Sequence, residues 1–436
     1  MRISPTFPRY HEHDPAVPVY CLTPDLPGSI HRFYDTSPLS PSGRYLAVTQ
    51  FPDETRLPEP GEVARVVVVD LESGEQRVVA ETRGWDTQLG AQVQWGGDDQ
   101  SLYFNDLDTQ TWIPQGLRLD PASGRSERLQ HTVYMVSADG TAIVSPCLRR
   151  IARTQPGYGV LMPPGMIPRN HGASDEDGVY LTDAASGASR LLVSIAELVA
   201  RAQPRLPSRR YARGDFYVFH VKWNPQGNRL MVILRWQPHV AGGLDWIPWR
   251  LGRRGFQEYF GRNRRDMILT LNADGSDVRV ALPDREWAKG GHHPNWCPDG
   301  ERILMNLDLH GEEKLRFILV KHDGEQLHTL SDRLIGSGHP TLHPNGRHIL
   351  TDTYPYEPMA AGDGTSPLRW IDCTTETERT LVRIRTQPDF SGPRRELRVD
   401  PHPAWDRNHR RIVFNACPGD GRRRVFLADP GALLDA

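Results

Sequence analysis

The chain has 436 residues, and its 52 Lys and Arg nearly balance 54 Asp and Glu, leaving a formal charge of −2. That balance argues against the basic field by which proteins hold nucleic acid, and no apolar run approaches the roughly 18 residues of a membrane helix. Neither nucleic acid nor membrane is therefore expected as a partner. Gly (39) and Pro (37) are plentiful, as in chains of many short strands joined by tight turns.

The N-terminal run Met1-Arg-Ile-Ser-Pro-Thr-Phe-Pro has no apolar core of the secretory type, which favours a cytoplasmic protein. Five cysteines (Cys21, Cys147, Cys297, Cys373, Cys417) are scattered without a CxxC pair and read as reduced thiols.

One phrase then recurs along the chain: an apolar anchor, a turn rich in Asx, Ser and Gly, and an alternating apolar strand. It reads Pro38-Leu-Ser-Pro-Ser-Gly-Arg-Tyr-Leu-Ala-Val, Gln94-Trp-Gly-Gly-Asp-Asp-Gln-Ser-Leu-Tyr-Phe and Met135-Val-Ser-Ala-Asp-Gly-Thr-Ala-Ile-Val. It continues with Lys222-Trp-Asn-Pro-Gln-Gly-Asn-Arg-Leu-Met-Val and Asn295-Trp-Cys-Pro-Asp-Gly-Glu-Arg-Ile-Leu-Met. Thr341-Leu-His-Pro-Asn-Gly-Arg-His-Ile-Leu and Ala404-Trp-Asp-Arg-Asn-His-Arg-Arg-Ile-Val-Phe complete seven copies. Pro presets the turn and Gly supplies a positive φ, so each copy predicts a hairpin. A second phrase, a strand ending in Asp before a turn, follows each copy, as in Val69-Asp-Leu-Glu-Ser-Gly and Leu119-Asp-Pro-Ala-Ser-Gly.

Two interleaved phrases, seven times each, predict an all-β, seven-bladed β-propeller of four-stranded antiparallel blades, one domain over residues 1–436. The last copy ends after its third strand, and Val17-Pro-Val-Tyr-Cys-Leu-Thr is expected to supply the missing outer strand. Segment 189–202 is expected to form a short amphipathic helix. Long additions fall after Cys147, after Arg235, after Tyr354 and around 386–399, where loops on a rigid scaffold build binding surfaces.

Four consecutive copies carry His three residues before the anchor: His220, His293, His339 and His402. Equivalent positions of successive blades lie at one height around the axis, so these imidazoles converge at one mouth of the channel. With Asp400 two residues before His402, they form a candidate site for a divalent metal, zinc or manganese. The alternative is that each imidazole caps a strand against the next blade. Cys297 is either a further ligand or a buried inert thiol.

Residues 236–265 mix tryptophans with arginines, including Trp249, Arg264 and Arg265. Aromatics stack on sugar rings while arginines fork onto carboxylates, which makes these three candidates for substrate binding. Single-stranded nucleic acid and a plain packed loop are the alternatives. Tyr134 begins the inner strand of the third copy, and Arg149, Arg150 and Arg153 follow its hairpin, so a Tyr–Arg pair at the same mouth is feasible. No Gly-x-Ser-x-Gly, phosphate loop, His-Glu-x-x-His or dinucleotide fingerprint is present.

Several stretches resemble the propeller uronate lyases, of the oligogalacturonate lyase and ulvan lyase types within the TolB-like propeller group. They are Ile30-His-Arg-Phe-Tyr-Asp-Thr-Ser-Pro, Ser145-Pro-Cys-Leu-Arg-Arg with Pro156-Gly-Tyr-Gly, Gly338-His-Pro-Thr-Leu-His-Pro-Asn-Gly-Arg, and Asp400-Pro-His-Pro-Ala-Trp. The resemblance implies cleavage of a uronic-acid-containing oligosaccharide or polysaccharide by β-elimination, with a divalent metal near His339 and His402 and with His293 in the catalytic position. Tyr134 and Arg150 resemble the Tyr and Arg of the ulvan lyases. The ligand pattern that precedes the last metal His in the oligogalacturonate lyases is not reproduced, because Arg398 and Asp400 stand there. The rival expectation is a non-catalytic TolB-like propeller that binds a protein or glycan at its mouth; a propeller hydrolase is a third.

Overall fold

The computed structural model describes residues 3–239, 264–357 and 359–434. Seven four-stranded antiparallel sheets surround a central channel. Each repeated phrase spans the inner strand and the second strand of a blade, for example Gly291–Trp296 followed by Arg302–Leu307 in blade five. The second phrase closes the third strand, as at Ala64–Asp70 in blade one.

The turn chemistry does more than reverse the chain. Gly300 has φ +68°, and a Cβ there would lie 1.7 Å from Gln226 Oε1 of the preceding blade. Gln226 Nε2 donates to Pro298 O at 3.0 Å and Asn224 Nδ2 to Gly300 O at 3.2 Å, so neighbouring inner turns interlock. A side chain at 300 would displace Gln226 and Asn224 and break these bonds between the inner turns of blades four and five.

Between blades the alternating strands pack face to face. Val144 and Val179 of blade three meet Val221, Leu230 and Leu269 of blade four in one apolar cluster, each of the five fully buried. Burying one such side chain contributes about 2 kcal/mol, so each blade depends on its neighbour. The ring closes as expected: Val19–Cys21 pairs with Arg424–Ala428, Val19 opposite Ala428 and Cys21 opposite Phe426.

Segment 189–202 departs from the expected single helix. Ser189–Ser194 is the outer strand of blade three, paired with Gly178–Asp183, and the helix runs only over Ile195–Arg201. The reason is local. Ser194 accepts from Glu197 N at 3.1 Å while its own N–H reaches Glu197 Oε2 at 2.8 Å, a capping box that starts the helix there. No helix among the described residues is long and apolar enough to cross a membrane.

Candidate active site

The first inner strand, Ser29–Ile30, is only two residues long. The chain that follows it threads the channel: His31, Arg32, Phe33 and Tyr34 are each at most 3% exposed. At its end Asp35 meets Arg32 at 2.6 Å and Lys222 Nζ at 3.0 Å, all buried. Burial alone would raise the Asp35 carboxyl, but Lys222 and Arg32 outweigh it and hold the group below the usual carboxylate range. Lys222 also donates to Tyr34 Oη at 3.3 Å and Pro294 O at 3.0 Å. This network divides the channel into two mouths.

At one mouth the imidazoles gather around Phe33. Ring centroids of His293 and His339 lie 3.8 Å apart, and those of His339 and His402 lie 4.6 Å apart. The backbone aims them: a bulge lies between His292 and Asn295, and His293 and His402 adopt φ of +58° and +47°. Such left-handed residues are uncommon outside glycine and concentrate at functional positions.

His339 is fully buried, and its Nδ1 lies 2.9 and 3.0 Å from the two oxygens of Asp352. Nδ1 therefore carries the proton and Nε2 the lone pair. That Nε2 has no hydrogen-bond partner among the described residues, and neither nitrogen of His402 has one. Buried ring nitrogens without partners are costly. Desolvation pushes His402 and His293 well below the ordinary imidazole range, so both are neutral lone-pair donors.

Asp400 completes the group. One ligand atom each from His339, Asp400 and His402 lies within 4.8 Å of the others. Two metal–ligand bonds of roughly 2.1 Å each span slightly less, so a small inward movement brings all three onto one ion. Two imidazoles and a carboxylate suit zinc or manganese, and a carboxylate behind the His339 ring is the arrangement that orients a metal-bound imidazole. The residues present fit a divalent cation.

Beside this group a cavity of about 280 Å³ opens, bordered by His293, Tyr34, Tyr158, Tyr354, Arg235, Arg264 and Arg398. Arg235 and Arg264 share Asp266, at 3.2 and 2.8 Å, so two guanidiniums face one carboxylate. Desolvation, and then Arg264, bring Arg235 down to about 9, which leaves it charged at neutral pH. Tyr158 Oη accepts from Arg398 Nη2 at 3.2 Å, and burial pushes the phenol up to about 12. His293 Nδ1 lies 2.8 Å from Gly338 O and 2.8 Å from His292 Nδ1. The Gly338 carbonyl only accepts, so Nδ1 carries the proton and Nε2 is the basic atom.

The sequence candidates separate in space. His293, His339, His402, Asp400 and Arg264 meet at this mouth. His220 borders the cavity but stacks on Phe33, centroids 5.5 Å apart, and its Nδ1 hydrogen-bonds Tyr134 Oη, so it stands outside the ligand trio. Tyr134 is fully buried behind it, with Arg32 over its ring at 4.8 Å rather than Arg150. Arg150 contacts Cys147 Sγ at 3.0 Å and Asp177 at 3.8 Å and does not border the cavity. The expected Tyr134–Arg150 pair is not brought together, because the helix Leu148–Ile151 carries Arg150 away. Arg265 alternates to the opposite strand face from Arg264, meeting Asp284 at 3.4 Å. Trp249 lies outside the described residues. Cys297 packs with Leu304 and Phe317, and burial raises its thiol to about 12, so it stays protonated.

Arg32, Asp35, Lys222, Arg235, Tyr158, Asp352 and Arg398 were missed as site residues. The signal for the first two was the run Ile30-His-Arg-Phe-Tyr-Asp, polar and aromatic where a hairpin strand is expected.

No protein-family model and no curated protein sequence matches the chain. By structure it is similar to an oligogalacturonate lyase from Vibrio parahaemolyticus, at TM-score 0.61 and 14% identity over 98% of this chain and 97% of that one. It is similar also to an oligogalacturonate lyase in complex with manganese, at TM-score 0.62 and 14% identity over 98% and 96%. TolB from Acinetobacter baumannii matches more loosely, at TM-score 0.40 and 11% identity over 88% and 80%. At these identities the shared property is the fold: a seven-bladed propeller that matches oligogalacturonate lyases from end to end.

Proposed function

We propose that the chain is a lyase that cleaves uronic-acid-containing oligosaccharides or polysaccharides by β-elimination, with a divalent cation, zinc or manganese, held by His339, His402 and Asp400. The observation that carries this reading is the set of buried, unpartnered ring nitrogens beside Asp400, with Asp352 fixing the His339 tautomer. The full-length structural likeness to oligogalacturonate lyases, one of them in complex with manganese, supports it.

The reaction removes the proton on the carbon next to a uronate carboxylate. A carbon–carbon double bond forms as the glycosidic carbon–oxygen bond on the adjacent carbon breaks. A cation at the trio supplies electrostatic stabilisation of the charge that builds on the carboxylate. Arg264 and Arg235 orient that carboxylate, since Asp266 neutralises only one of their two charges. His293 Nε2 takes the proton, its ring held by the Nδ1–H bond to Gly338 O. Tyr158 gives a proton to the departing oxygen; its hydroxyl oxygen already accepts from Arg398, which leaves its own O–H to donate. In this assignment Tyr134 positions His220 instead of meeting substrate.

The test is the ultraviolet absorbance of unsaturated uronates during incubation with pectic, ulvan or glucuronan oligomers and added manganese or zinc. The expected result is a rise that His293→Ala abolishes while the circular dichroism of the fold persists. No rise with any uronic polymer overturns the proposal. Retained glycan binding by His293→Ala and His339→Ala without turnover in the parent is the signature of the non-catalytic propeller.

A further inference from the structure

Two of the long additions to the repeat, after Tyr354 and around 386–399, meet at the rim of the histidine mouth. Arg395 lies over the Tyr356 ring there, its Cζ 4.8 Å from the centroid. Tyr356 borders the cavity and is 63% exposed, a large aromatic left in water. Tyr354, also on the cavity, stacks on it, with centroids 5.3 Å apart and planes 13° from parallel. The backbone of Arg395 is held as well. It adopts φ +57°, uncommon outside glycine, its N–H donates to Gly392 O at 3.1 Å, and its carbonyl accepts from Arg398 N at 3.2 Å.

Charge sets Arg395 apart from its neighbours. Arg394 pairs with Glu396 at 2.7 Å, and Arg398 with Asp400 at 2.9 Å. On the cavity wall Asp266 answers Arg235 and Arg264, and Glu357 hydrogen-bonds Ser337 Oγ. No carboxylate among the described residues lies within ion-pair reach of Arg395, whose partner is the aromatic ring. A guanidinium laid on a ring engages through its face, and its N–H edge stays free to fork onto a carboxylate. The ring support also limits the freedom that such binding would remove.

The size of the cavity says where that carboxylate comes from. At about 280 Å³ it falls under the roughly 300–1,000 Å³ of sites that enclose a drug-sized ligand, so a sugar chain seated in it continues out over the rim. We infer that Arg395, supported by Tyr356, forms a second sugar subsite that binds the carboxylate of the uronate next to the one being cleaved. The substrate then carries at least two adjacent uronates, as in a homopolymer of one sugar acid. The identity of the sugar acid rests on the proposed lyase reading; the free guanidinium edge does not.

The experiment is isothermal titration calorimetry of the full chain with manganese present, carrying His293→Ala so that oligomers stay intact. The ligands are galacturonate, glucuronate and the homopolymer dimer of each. At least one dimer is expected to bind at least tenfold more tightly than its monomer. Arg395→Gln removes the charge and is expected to weaken that dimer about tenfold, while the monomer stays within twofold. Tyr356→Ala removes the ring under the guanidinium and is expected to weaken the dimer in the same selective way. Dimers that bind no more tightly than monomers overturn the inference. So does an Arg395→Gln protein that loses monomer and dimer affinity alike, the mark of a packing role. Unsaturated product from a uronic polymer, with dimer affinity independent of Arg395, leaves the lyase reading standing and this one fallen. Selective dimer binding that needs Arg395, without product from any uronic polymer, does the reverse.

Discussion

Asp352→Asn probes the candidate metal centre without removing any ligand. Asp352 Oδ1 accepts the backbone N–H of His339 at 2.6 Å and shares the Nδ1 proton at 2.9 Å. An asparagine in the same pose keeps its oxygen on the backbone N–H and turns its amide N–H toward the ring. That N–H, where Oδ2 stood 3.0 Å from Nδ1, opposes a ring proton there and favours the tautomer protonated on Nε2, so the atom that faces His402 and Asp400 becomes a donor. Loss of an orienting carboxylate behind a metal-bound imidazole costs 10–100-fold in affinity, about 1.4–2.8 kcal/mol, and the tautomer switch puts the expected loss at the upper end. The assay is competition calorimetry with manganese and with zinc on parent and variant, both checked by circular dichroism for an intact propeller. Affinities equal within twofold would refute the reasoning, because His339 would then not be a ligand through Nε2.

Other consequences are separately measurable. Tyr158→Phe deletes the proposed proton donor, so kcat on uronate oligomers is expected to fall about 100-fold with KM nearly unchanged; a KM effect alone assigns Tyr158 to binding. Lys222→Met leaves Asp35 buried with Arg32 as its remaining cation, and denaturant unfolding should show a loss of about 3–5 kcal/mol. Asp86 is 1% exposed, and burial raises its carboxyl to about 7 despite three backbone N–H donors. The folded state then holds a proton that the unfolded chain has released between pH 3.8 and about 7. Stability therefore falls as pH rises through that window, by about 3 kcal/mol from pH 5 to 8. Asp86→Asn should flatten this slope in melts across that range; an unchanged slope assigns it to other groups.

The architecture was legible because its signals are local. Pro-Asx-Gly turns between alternating strands specify hairpins one at a time, and seven in register leave little but a ring. His339, His402 and Asp400 were legible for the same reason, since they ride on the repeat itself. Asp352, Lys222 and Arg235 were not. Each lies within a strand or just beyond its end, and its role depends on a partner from another strand or blade: His339, Asp35 and Asp266. Arg150 failed in the opposite direction. It stands where a motif places it, but the short helix after Ser145 carries it to Cys147 and Asp177. Segment 189–194 was misjudged because Leu191, Val193 and Ile195 alternate as in a strand while Leu191, Leu192, Ile195, Leu198 and Val199 recur as in a helix, and only pairing with Gly178–Asp183 decides between them.

The pairing of Val19–Cys21 with Arg424–Ala428 has a consequence for how this protein is made. During synthesis the earliest strand emerges with its hydrogen-bonding edge unsatisfied and waits until some four hundred further residues have been translated. The final blade is thus a clasp fastened last, and its cooperativity belongs to the whole ring. Cutting the backbone between blades while tethering residues 19 and 428 should be tolerated better than deleting either half of the clasp.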